Sequence, residues 1–93
     1  SGAVNININV KNKAEQNISG ALVYVDENLG SAGNITNTTT DANGNIAQAN
    51  YSGAATTATV RVRLYGYRPF TGTISLLSDT SLNVILDIDP QQT

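Results

Sequence analysis

The chain of 93 residues contains no cysteine, histidine, tryptophan or methionine, and only one phenylalanine and two prolines. Without cysteine there is no disulfide, no thiolate site for zinc and no thiol nucleophile. Without histidine, the side chain that most often takes a proton near neutral pH is gone, so a serine or threonine nucleophile would depend on a carboxylate or a lysine. No apolar run approaches the about 20 residues that a membrane-spanning helix needs, and no membrane insertion is expected. Five basic residues against seven acidic ones give a net charge of −2. Such a chain lacks the broad positive field that phosphate backbones demand, and no nucleic-acid partner is expected. The absence of methionine extends to position 1, where Ser1-Gly2 reads as a cleavage scar, while residues 90–93 read as the start of a polar linker. Residues 1–93 are therefore expected to form one module excised from a longer polypeptide.

What is present is aliphatic and polar. With 40% hydrophobic and 13% charged residues, the core must be built from Val, Ile, Leu and Ala. The abundant Thr and Asn suit the polar faces of strands and the turns between them. Val4, Ile6, Ile8 and Val10 alternate with Asn5, Asn7, Asn9 and Lys11, the period of a half-buried strand. Ala21, Val23 and Val25 alternate in the same way with Leu22, Tyr24 and Asp26, and residues 35–40 read as a Thr-rich edge strand. Asp41-Ala42-Asn43-Gly44-Asn45 is the strongest turn signal and predicts a hairpin, with residues 46–51 returning antiparallel. Residues 58–65 place Val60, Val62 and Leu64 opposite Arg61, Arg63 and Tyr65, as a central strand would. Two final strands put Phe70, Gly72, Ile74 and Leu76, then Leu82, Val84, Leu86 and Ile88, on inward faces. No stretch has helical periodicity. About seven short strands at regular spacing predict an all-β sandwich, with Val4, Ile6, Ile8, Val23, Val25, Val60, Val62, Leu64, Ile74, Val84 and Leu86 buried between its sheets.

Four elements in order, Gly20-Ala21-Leu22-Val23-Tyr24-Val25, Thr40-Asp41-Ala42-Asn43-Gly44, Gly66-Tyr67-Arg68-Pro69 and Leu82-Asn83-Val84-Ile85-Leu86, resemble the carboxypeptidase regulatory-like domains and their transthyretin-like and Cna B-type relatives. The chain departs from the family pattern between Asn45 and Val60, where Tyr51-Ser52-Gly53-Ala54-Ala55 stands in place of an aromatic, a Pro-Gly turn and a Tyr-Thr-Val strand. The resemblance implies a Greek-key β-sandwich, prealbumin-like or Ig-like. It also implies use as a spacer, structural or adhesive module of a secreted, cell-surface or virion protein, with neighbouring domains of the parent as its first partners. It carries no active site and no cofactor.

Candidate chemistry is sparse. Asp87 and Asp89 share a strand face by alternation, a spacing better explained by a solvated surface than by an acid pair. Asp41, Asn43 and Asn45 begin like a calcium loop, but glycine falls at the fourth position and Ser52 at the twelfth, so no metal is assigned. Cna B-type relatives crosslink a lysine of the first strand to an asparagine of the last. Lys11 and Asn83 are the corresponding pair, and alternation points both outward, so no such bond is expected. Four Asn-x-Ser/Thr sequences, at Asn17, Asn34, Asn37 and Asn50, are assigned no function in a chain so rich in these residues. The one surface selected as a partner contact is Arg61, Arg63, Tyr65, Tyr67 and Arg68, since Arg and Tyr are favoured where proteins meet ligands. The sequence thus predicts a non-catalytic accessory module. The alternatives are a carbohydrate- or peptide-binding module using that surface, or a regulatory domain appended to an enzyme.

Overall fold

The computed structural model describes residues 3–30 and 33–92. The expected cleavage scar at Ser1-Gly2 and the last residue of the expected linker, Thr93, lie outside the described residues. Seven strands account for the fold: β1 (Val4–Asn12), β2 (Leu22–Glu27), β3 (Asn34–Thr39), β4 (Ala49–Tyr51), β5 (Thr57–Arg63), β6 (Phe70–Ser75) and β7 (Thr80–Leu86). They form a three-stranded sheet in the order β4-β1-β7 and a four-stranded sheet in the order β3-β2-β5-β6. Four of the connections, β1 to β2, β3 to β4, β4 to β5 and β6 to β7, pass between the sheets, which is how a Greek-key sandwich joins its layers. β1 and β7 run parallel, in register from Ile6 opposite Thr80 to Asn12 opposite Leu86.

Period-two alternation decides what lies between the sheets. Ile6, Ile8, Val10, Val84 and Leu86 face inward from one sheet, and Val23, Val25, Val60, Val62 and Ile74 from the other. Of the eleven residues expected in the core, all are buried except Val4 and Leu64, which are half-buried and pack against it. Because no large aromatic fills the centre, small side chains complete the packing: Ala21, Ala49, Ala55 and Ala58 are all buried.

Three expectations are corrected. The Asp41–Asn45 turn does not close a hairpin. The Asp41 carboxylate accepts the Asn43 and Asn45 N–H groups (2.8 and 3.0 Å), and the Gly44 carbonyl accepts the Val10 N–H (2.8 Å). The turn is thereby fastened to β1, and the returning chain pairs with β1 in the other sheet, Ala49 opposite Ile6 and Tyr51 opposite Val4. The strand expected over 58–65 ends at Arg63, because Leu64–Tyr67 is a turn closed by the Tyr67 N–H on the Leu64 carbonyl (3.1 Å). Ile88, expected on the inner face, is 58% exposed. β7 stops at Leu86, and the chain beyond it leaves the sandwich to pair with the 66–68 segment through a Tyr67–Ile88 bridge. Residues Pro90–Gln92 then form a single 3-10 turn.

Candidate functional site

The selected surface divides into three parts. Arg61 and Arg63 project from the outer face of β5, an inner strand of the four-stranded sheet, opposite Tyr24 and Leu22 of β2 respectively. Arg61 is held by Asp26 at 3.3 Å. Arg68, past the turn, is turned away to Asp87 at 3.1 Å, a carboxylate that Lys13 also approaches at 3.6 Å. What remains together is Arg63, Tyr65 and Tyr67. These three line an open groove of ≈ 420 Å³ at one end of the sandwich, with Gly20, Leu22, Leu64 and Pro69.

Local sequence explains how the groove is made. Gly66 adopts φ 93° at the third position of the Leu64–Tyr67 turn, a left-handed conformation that glycine takes without a Cβ penalty. That turn lifts Tyr65 off the sheet until it is 82% exposed, and brings Tyr67 back over the core edge, where it is half-buried. The tail beyond β7 holds the turn from outside: the Asp89 N–H donates to the Gly66 carbonyl (2.9 Å) and the Arg68 N–H to the Asp87 carbonyl (2.8 Å). Asp87 and Asp89 therefore have separate tasks, Asp87 as an ion-pair centre and Asp89 accepting the Gln91 N–H at 3.0 Å. Sequence reasoning missed Leu22, Leu64 and Pro69 as the floor of the groove. The available signal was Leu22, an apolar residue on the otherwise polar face of its strand.

A second node escaped the sequence entirely. Tyr51, at the end of β4, accepts the Ala55 N–H on its phenol oxygen (2.8 Å), and its ring lies over Gly53, where a Cβ would stand 2.6 Å from Cζ. Interaction with the nearby Glu27 carboxylate, together with desolvation, raises the Tyr51 pKa above its ordinary value. Since Glu27 belongs to β2, the Tyr51 phenol stands where the two sheets meet, and we read the node as structural. Clefts of ≈ 380 and ≈ 340 Å³ flank it. Lys11 and Asn83 lie on the outer face of the three-stranded sheet, opposite Ile85 and Asn9, as alternation requires. Among the described residues no group of three or more acidic side chains is gathered closely enough to hold a metal ion.

No family model matches this chain. No curated protein matches it either. Among solved structures, a 9R-lipoxygenase from Cyanothece PCC8801 superposes with a TM-score of 0.55 over 95% of this chain, at 13% sequence identity. The chain spans 17% of that protein's length, and at this identity the likeness is one of fold alone.

Proposed function

We propose that this chain is a non-catalytic β-sandwich module of a larger secreted, cell-surface or virion protein, acting as a spacer or adhesive unit. The observation that carries the reading is the character of its best-formed site. The groove at Arg63, Tyr65 and Tyr67 is open, shallow and lined by residues suited to contact, with no histidine or cysteine anywhere in the chain to activate a nucleophile. The resemblance to carboxypeptidase regulatory-like and Cna B-type domains supports the same reading, as does the occurrence of a similar fold as a minor part of a longer chain. Of the alternatives, the groove favours a binding module over a purely passive spacer.

The test uses the parent polypeptide with and without this module. Deleting it should leave any catalytic rate of the parent unchanged while attachment to its surface or partner falls. Loss of catalytic rate on deletion, or robust turnover by the purified module that one carboxylate substitution abolishes, contradicts the proposal.

A further inference from the structure

The five basic side chains are not equivalent. Arg61 is neutralised by Asp26, and Arg68 and Lys13 share Asp87. Among the described residues only Arg63 and Lys11 have no carboxylate within ion-pair distance, and Lys11 sits on the other sheet. A net acidic protein thus keeps one uncompensated guanidinium on the wall of this groove, and no acidic residue is among those that line it. A planar guanidinium meets a carboxylate with two parallel N–H donors, so the group that complements this site is a carboxylate. One free cation, with its neighbour Arg61 already paired to Asp26, suits a single negative charge better than a phosphate dianion.

The rest of the groove says what the carboxylate is attached to. The main-chain donors around it are already committed: the Gly20 N–H to Thr40, the Tyr67 N–H to Leu64 and the Arg68 N–H to Asp87. Leu22 is paired on both sides, with Thr39 and Arg63, and Pro69 has no N–H. The groove lies over the ends of β2 and β5, the two inner strands, not along an open sheet edge. An extended peptide recognised by strand addition finds no ladder here. A ligand recognised through side chains alone does: Tyr65 offers an exposed ring face, the phenols of Tyr65 and Tyr67 can donate or accept, and Leu22, Leu64 and Pro69 give an apolar floor.

We infer that the groove binds a carboxylate-bearing sugar residue, a uronate or a sialate, with Arg63 on the carboxylate and the sugar ring against Tyr65. This inference rests on the adhesive side of the function proposed above. It is tested on the isotope-labelled module by following amide shifts during titration with methyl β-glucuronide, 3′-sialyllactose, neutral lactose and a Glu-rich peptide. Saturable shifts at Leu22 and residues 64–68 with either acidic sugar, absent with lactose, are expected. Arg63→Gln should weaken the binding about tenfold or more, whereas Arg61→Gln, which removes an already paired charge, should leave the affinity within about twofold. The unliganded spectrum of each variant shows that the fold is kept, and Tyr65→Ala, at an exposed position, supplies a second test of the same contact. Lack of saturation by both acidic sugars, equal response to lactose, binding that survives Arg63→Gln, or a response to the peptide alone would each overturn the inference. Any of these leaves the accessory-module reading standing, since that reading fails only in the deletion and turnover assays on the parent.

Discussion

Of the glycines at positive φ, those in the turns at Gly44 and Gly66 do opposite work. Gly44, at φ 77°, is buried under β1: a Cβ there would stand 2.5 Å from the Val10 carbonyl oxygen and 3.3 Å from side-chain atoms of Asn9 and Asn17. Gly66, at φ 93°, has nothing within 4 Å of where its Cβ would be. The first turn is fastened to the central strand of its sheet by the Val10 and Ile46 N–H bonds, and the second is held by the tail at Asp87–Asp89. Both need glycine's backbone freedom, but only the first also needs its lack of volume. One turn is therefore part of the core, and the other is a presented loop that carries the exposed Tyr65.

The largest test of this contrast is Gly44→Ala, which combines left-handed strain with a clash against backbone and should cost about 3 kcal/mol. Gly66→Ala carries the strain alone, about 1 kcal/mol; urea unfolding of the two variants should differ accordingly, and equal losses would erase the distinction. Next comes Thr40, beside the core-bound turn, whose hydroxyl donates to the Ile18 carbonyl (2.7 Å) and accepts the Ala21 N–H (3.0 Å) while buried. Thr40→Val leaves both backbone groups unpartnered and should cost about 2 kcal/mol.

A smaller effect is expected from Tyr51. Its raised pKa means that the fold favours the neutral phenol, so its contribution is complete below the unfolded value of about 10 and is lost as pH rises through the folded pKa. Thermal midpoints of the unaltered protein and Tyr51→Phe should converge as the pH is raised above about 10, and a gap that widens there would reverse the sign. The smallest effect belongs to the groove beside the presented turn: Arg63→Gln should change stability by less than about 0.5 kcal/mol, measured in the same urea series. A loss comparable to that of Thr40→Val would make Arg63 structural.

Much of the fold was legible because alternation is a local property. β1, β2 and the inward faces of β5 to β7 could be read from Val and Ile positions alone, since a strand's period does not depend on its partner. Pairing was not legible. Asn43-Gly44 has the chemistry of a hairpin turn, but the hydrogen bonds that commit it to β1 come from Val10 and Asn9, more than thirty positions earlier. The Arg/Tyr surface was partly legible because unlike residues on one strand face are visible in sequence. Its division was not: which arginines are neutralised depends on Asp26 and Asp87, brought up by β2 and by the tail after β7.

Native-state hydrogen exchange compares the two turns directly. The Gly44, Val10 and Ile46 amides should exchange only through global unfolding, while those of Tyr67, Arg68 and Asp89 should exchange together through a separate opening of lower free energy. A single shared opening free energy for both sets would contradict the account, because the Leu64–Tyr67 turn would then be as much a part of the core as the turn at Gly44.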